Sequence, residues 1–258
     1  MPLAKRFLDA LSFFTCLVPA RLVSNSTLGE CAPWIFFCGL VIGALCTLAG
    51  TLASFLLAKT SCPDILVLLL AALVWVAAEM RITRALHWDG LADLADALGS
   101  CRQGDAFRAV LKDSRIGTFG VLALLCAFGC ELLAVAAHLC PLSPFHTASL
   151  VLAPAWGRAM AVPLFRLASP YDKTSLGGQF ASAGTVGNLV LCLLWAALTL
   201  GLLACCGAHP LRLAALLLLQ GLLLWYFVAL SKRHGGYSGD FCGCLMQVGQ
   251  CLFLLATI

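Results

Sequence analysis

The chain has 258 residues, 62% of them hydrophobic and 11% charged, and a formal net charge of +4. A soluble domain carries about 25% charged residues, and an apolar share this large leaves too little polar exterior for a water-soluble fold. The small, scattered basic excess, with no Lys/Arg stripe interleaved with aromatics, argues against a nucleic-acid partner.

At the N-terminus, MPLAKRFLDALSFFTCLVPARL combines a basic start with a short apolar stretch. Asp9 interrupts the stretch and no clean small-x-small cleavage site follows, which disfavours a signal peptide. The segment predicts an interfacial amphipathic helix with Phe7, Leu8, Leu11, Phe14 and Cys16 toward lipid. Seven apolar segments of about 20 residues then predict membrane helices: 33–57, 64–80, 116–139, 146–165, 185–206, 211–230 and 239–258. Segment 64–80 is short and ends at Glu79, and 239–258 opens with glycines and Asp240. Pro33, Pro63, Pro141, Pro144 and Pro210 sit near segment starts, where a missing N–H is harmless. The expected fold is all-α: a polytopic transmembrane helix bundle of about seven spans, with an N-terminal interfacial helix and a cytoplasmic acidic helical segment. With no internal repeat or linker, residues 1–258 read as a single integral membrane catalytic domain. The 15 cysteines form no CxxC pair and lie mostly in apolar runs, where thiols act as small hydrophobes rather than disulfide or zinc partners.

Basic residues orient the bundle. A cytoplasmic N-terminus puts Lys5, Arg6, Arg21, Arg81, Arg84, Arg102, Arg108, Lys112, Arg115, Arg166, Lys173, Lys232 and Arg233 on that side. Only Lys59 and Arg212 fall opposite, and Arg158 lies within a span. The asymmetry follows the positive-inside rule.

The longest break in hydrophobicity, 81–115, holds Asp89, Asp93, Asp96, Asp105 and Asp113. On a helix, Asp89, Asp93 and Asp96 stand at i, i+4 and i+7, within roughly 60° of arc. Three carboxylates on one face repel unless a cation sits among them, and Mg²⁺ suits such oxygen donors while keeping positions free for phosphate. The competing reading is a solvated face paired to nearby arginines. Against it, Leu91, Ala92, Leu94, Ala95 and Leu98 form an apolar opposite face, and Gly90 leaves room for close approach. Asp113, Ser114 and Arg115 add an acid and a phosphate-capable guanidinium, followed by Gly117 and Gly120. His87 is a candidate base or metal ligand, although a lone histidine is more often structural. Glu79, Glu131 and Arg158 are ionisable groups in or beside spans, where charge is expensive. For Arg158, a buried ion pair with Glu131 competes with substrate phosphate binding. The stretch Lys232 to Asp240, which includes Gly235, Gly236 and Ser238, reads either as a turn or as a phosphate-binding lip facing the acidic site.

The block His87-Trp88-Asp89-Gly90-Leu91-Ala92-Asp93-Leu94-Ala95-Asp96, with Lys112-Asp113-Ser114-Arg115-Ile116-Gly117-Thr118-Phe119-Gly120, closely resembles the paired signature of the cobalamin synthase (adenosylcobinamide-GDP ribazoletransferase) family. Phe13-Phe14-Thr15, Arg158, Leu176-Gly177-Gly178 and Gly235-Gly236-Tyr237-Ser238-Gly239-Asp240 extend the likeness along nearly the whole chain. The resemblance implies attack of α-ribazole or its 5′-phosphate on adenosylcobinamide-GDP, release of GMP and a requirement for Mg²⁺ at the bacterial inner membrane. It implies Asp89, Asp93, Asp96 and Asp113 as metal ligands, these and His87 as catalytic residues, and Lys112, Arg115, Arg158, Gly90, Gly117, Gly236 and Asp240 as substrate contacts. Partners are then the two substrates and the lipid bilayer, with homo-oligomers or other cobamide-assembly enzymes left open. The chain departs from the family pattern at Cys16 for Arg, Ala97 for Gly, and Gln247 and Gln250 for Glu; glutamine keeps an oxygen contact without the charge.

Two other readings compete. A CDP-alcohol phosphatidyltransferase breaks a similar diphosphate and would release CMP with a lipid product. An ion-coupled carrier would place its acids near span centres, whereas here they gather in a loop.

Overall fold

The computed structural model describes residues 3–19 and 29–258; Arg21, counted above among the orienting cations, lies outside the described residues. Among the described residues, seven helices are long and apolar enough to cross a membrane. The first helix, α1 (Leu3–Phe14), precedes a 3-10 turn over Gly29–Trp34 that runs into the first span, α2 (Ile35–Leu57). The second is α3 (Asp64–Thr83). Two short helices follow, α4 (Leu86–Gly99) and α5 (Gly104–Leu111), before the third span, α6 (Thr118–Leu139). The fourth is bent at Met160 into α7 (Pro144–Ala159) and α8 (Ala161–Leu167). After α9 (Leu176–Gln179) come α10 (Val186–Cys205), α11 (Pro210–Arg233) and α12 (Gly239–Ala256).

Local chemistry sets these limits. Ser143, Thr185 and Ser238 each cap a span, their hydroxyls accepting from His146, Asn188 and Phe241 amides. Pro144 and Pro210 occupy first turns, where no N–H is required. The second span continues past Glu79 to Thr83 because Arg158 meets that carboxylate inside the bundle. Leu176-Gly177-Gly178, part of the motif likeness, lies in the single helical turn α9.

The centre of the bundle is α2, α7 and α12. Side chains at Gly39 and Gly43 of α2 would collide with the α7 backbone at Ala155 and Val151, so these glycines let the two helices touch. By contrast, only 11% of the most apolar stretch of α10 is buried, so its leucines form an outer apolar face suited to lipid. The N-terminal helix forms, but its expected lipid face is corrected: Leu11 and Phe14 are buried in the protein. Cys16 lies beyond the helix, its thiol donating to the Arg81 carbonyl oxygen. Alternation of seven spans puts 84–117, 168–185 and 234–238 at one end. Their contacts agree: the Tyr171 amide donates to the Tyr237 carbonyl (2.9 Å), and the Arg108 guanidinium lies 3.7 Å from the Tyr171 ring centroid.

Candidate active site

The acidic helix is set by a sharp reversal. Arg84 and Ala85 both adopt left-handed backbone (φ 56° and 54°), a conformation costing roughly 1–2 kcal/mol per non-glycine residue. The turn is held by Arg84, whose guanidinium donates to the Phe13 carbonyl (2.8 Å), and by the Ala85 amide, which donates to the Met80 carbonyl (2.8 Å). It folds α4 back between α6 and α12. Trp88 then anchors the new helix, its indole N–H donating to Glu79 Oε2 (3.0 Å). The partner of Arg158 is Glu79 (3.0 Å), both fully buried, rather than Glu131. Arg158 also donates to the Pro154 carbonyl and to Gln250 Oε1 (3.1 Å). Its guanidinium is thus committed to the bundle interior: the expected ion pair with Glu131 is corrected to one with Glu79, and Gln250 bridges Arg158 to Glu131.

Glycines bring α12 to this helix. A side chain at Gly90 would meet the Asp240 backbone at 2.9–3.0 Å and Gly243 at 3.3 Å. This close crossing places Asp89 and Asp240 on the wall of one cavity of about 130 Å³, together with His87 and the rings of Phe13, Phe14, Phe165 and Phe180. Ser238 donates its hydroxyl to Asp240 Oδ2 (3.1 Å). Asp93 sits half-buried beside the same acids; burial first, then the charges of Asp89, Asp240 and Asp96, push its carboxyl up to about 6. His87 is buried, and desolvation followed by the charge of Arg158 holds its imidazole well below the usual range, hence neutral at pH 7. Its Nε2 has no hydrogen-bond partner among the described residues.

The remaining expected residues divide by partner. Asp96 Oδ2 accepts from the Gly117 amide (2.7 Å) and Oδ1 from the Gly120 amide (2.8 Å), so it caps the N-terminus of α6. A Cβ at either glycine would strike that carboxylate. Asp113 is clamped by Arg115 through Nε–Oδ1 (3.0 Å) and Nη2–Oδ2 (2.7 Å), which draws its carboxyl down to about 2. Lys112 is exposed, close enough to Asp172 to help lower that carboxyl after the hydrogen bonds from Thr174. Gly236, at φ 138°, leaves no room for a side chain against the Tyr171 backbone, and so closes the cluster of loops. Among the described residues, no three His, Cys, Asp or Glu side chains gather around a single point. The donor chemistry of Asp89, Asp93 and Asp240 nevertheless fits a hard divalent cation: oxygen-only groups, mutually repelling, beside a cavity.

The cobalamin-5-phosphate synthase family matches residues 6–258. The chain belongs to this family. Among similar curated proteins is the adenosylcobinamide-GDP ribazoletransferase of Nitratidesulfovibrio vulgaris (strain DP4), 35% identical over 96% of this chain and 95% of its own. That of Klebsiella pneumoniae (strain 342) is 35% identical over 98% of this chain and 99% of its own. The one from Bradyrhizobium diazoefficiens is 37% identical over 73% and 70%. No solved structure matches.

Within this member of the cobalamin-5-phosphate synthase family, the two glutamines have a definite place. Gln247 donates to Glu131 Oε2 (2.7 Å), and Gln250 donates to the other oxygen of Glu131 while accepting from Arg158. They complete a buried chain from Glu131 to Arg158, Glu79 and Trp88. Acceptor-only carboxylates could not supply the N–H groups that Glu131 receives. Sequence reasoning missed the Glu79 end of this network and the aromatic cavity wall. Of the four phenylalanines, Phe13 and Phe14 stood in a quoted motif, while Phe165 and Phe180 carry no local signal.

The Asp93 carboxyl gives a measurable pH effect. In the folded chain it keeps its proton up to about pH 6, whereas its ordinary value is 3.8. Between those values the folded state binds the extra proton, so acidification from neutral pH stabilises the fold through this group, and ionisation above pH 6 removes that gain. With divalent cations chelated, the unfolding midpoint of the detergent-solubilised protein relative to Asp93→Asn is expected to rise as pH drops from about 7 to about 5. A parallel course for the two proteins rejects the assignment.

Proposed function

We propose that the protein transfers the adenosylcobinamide-phosphate group of adenosylcobinamide-GDP to α-ribazole or α-ribazole 5′-phosphate and releases GMP, the last assembly stage of cobalamin biosynthesis. The observation that carries this reading is the convergence of Asp89, from the signature block, and Asp240, from the C-terminal motif, on one cavity. The likeness to ribazoletransferases along almost the full chain supports the substrate assignment.

The acceptor hydroxyl attacks the phosphorus joined to the cobinamide, the anhydride P–O bond breaks, and GMP departs with the bridging oxygen. The hydroxyl proton passes to an acceptor in the cavity wall, a role for a carboxylate or the neutral His87 imidazole. A Mg²⁺ ion held by Asp89, Asp93 and Asp240 would neutralise charge developing on the diphosphate. Asp96 and Asp113, already partnered, support that set by fixing the start of α6 and orienting Arg115. In this reading Lys112 and Arg115, both exposed, would meet phosphate oxygens. The positive-inside asymmetry supports a bacterial cytoplasmic membrane location with this end in the cytoplasm. There a large corrinoid can rest against the apolar bundle while its nucleotide tail reaches the carboxylates.

Purified protein in detergent, given adenosylcobinamide-GDP and α-ribazole with Mg²⁺, is expected to form cobamide and GMP in equal amounts; chelating the cation stops both. Continued turnover in chelator refutes the metal role. Absence of product with Mg²⁺ refutes the transferase reading.

A further inference from the structure

The cavity beside Asp89 and Asp240 has walls that phosphoryl chemistry alone does not require. Phe13 and Phe14 end α1, Phe165 lies in α8, and Phe180 begins the 3-10 turn Phe180–Ala183. Phe180 is the hub: it stacks on Phe165 (5.8 Å between centroids, 12° between planes), meets Phe13 nearly edge-on (5.3 Å, 66°) and lies 6.2 Å from Phe14. Phe14 lies 6.2 Å from the His87 ring. Leu86, Met246 and Cys242 complete the apolar lining, and the polar side chains on the wall are His87, Asp89 and Asp240. His87 is 2% exposed, and its Nε2 has no partner among the described residues. A buried polar atom left unpaired beside a cavity marks a place where a ligand completes the hydrogen bonding.

We propose that this cavity seats the flat aromatic base of the acceptor nucleoside, with phenylalanine rings against its faces and edges and His87 Nε2 as its polar contact. The inference rests on the ribazole-transfer reading and assigns one substrate of that reaction to a place. Size supports a base alone: about 130 Å³ is close to the roughly 150 Å³ of an apolar cavity that accepts a benzene-sized guest, and far too small for a corrin ring. Aromatic walls suit any planar ring, and the guanine of the activated substrate is planar too. Guanine, however, carries two acceptors on one edge and several N–H donors on the other. Beyond His87 the wall offers acceptor-only carboxylates, which suit the N–H donors but leave the acceptor edge with His87 alone to meet it, so part of the acceptor edge would be buried unpaired. A weakly polar base with few edge groups loses nothing there. Seated this way, the acceptor holds its sugar hydroxyls toward Asp89 and Asp240, where the anhydride must be attacked.

The test uses the full chain in detergent, measuring KM for each substrate and α-ribazole binding by calorimetry. In Phe180→Leu, which keeps apolar bulk but removes the ring face, KM and Kd for α-ribazole are expected to rise about tenfold, as loss of one base–aromatic stack does. KM for adenosylcobinamide-GDP should move by less than about twofold on the same scale. Phe13→Leu, at a half-buried position with a smaller packing role, repeats the measurement if Phe180→Leu fails to fold. A rise confined to adenosylcobinamide-GDP assigns the cavity to guanine and overturns the proposal. Unchanged constants for both substrates in a folded variant overturn it as well. An unmodified protein that makes no cobamide overturns the parent reading too, and that outcome is seen before any variant is made.

Discussion

Asp89→Asn is expected to lower GMP release by about a hundredfold or more, the loss typical of removing one group that stabilises charge at a reacting centre. Asp89 is the acid of α4 that lies on the cavity wall without a hydrogen-bond or ion-pair partner among the described residues, in contrast with Asp96 and Asp113, which hold the Gly117 and Gly120 amides and Arg115. Asparagine keeps its size and one oxygen while removing the charge, so α4 should still form and dock through Gly90 and Trp88. The measurement is GMP formation by the purified variant, paired with its unfolding midpoint in detergent. A folded variant that turns over at near-normal rate takes Asp89 out of the mechanism. Asp96→Asn offers the contrast: its fault should appear in stability, since an N-terminal cap is worth about 1 kcal/mol, as well as in activity.

The largest effect on stability is expected from Arg158→Met. The change strands Glu79 at 0% exposure with one indole N–H as its remaining side-chain donor, and it takes donors from Pro154 and Gln250. Removing one partner of a buried pair costs about 3–5 kcal/mol, because the remaining charge has neither water nor counterion. Pairing the change with Glu79→Leu removes the stranded carboxylate, and the double variant should recover much of the loss. Thermal unfolding of the three proteins in one detergent reads this directly. Equal midpoints for the single variant and the parent would show that the pair contributes nothing. Because Glu79 also holds Trp88, which precedes Asp89, the double variant should remain slow even where it regains stability.

These expectations show how much could be read from the chain before folding. The spans could be read, because twenty consecutive apolar residues have one solution in a bilayer: a helix that satisfies its own backbone. The α4 helix and its three aspartates on one side were readable for a similar reason, since helical periodicity is local. The sequence predicts the N-terminal helix but assigns its inner face to lipid. Periodicity marks an apolar stripe without saying what covers it, and here Leu11 and Phe14 cover the bundle. Arg158 and Glu131 stand out in the sequence as costly charges, yet the partner of Arg158 is Glu79, 79 residues away in the chain. Adjacency among helices, which no single helix encodes, decided that pairing.

By itself the sequence determined the number of spans, the end of the bundle that carries the acidic segment and basic loops, and the family signature, because each depends on composition or on spacing within one segment. Tertiary structure alone decided which acids share a cavity. Gly90 and Gly243 let α4 and α12 approach until Asp89 and Asp240 face the same space, while Asp96 turns to cap α6. Four phenylalanines from three distant segments close the wall beside them. Such meetings depend on backbone-to-backbone distance between helices, a property of packing rather than of any stretch of residues read in order.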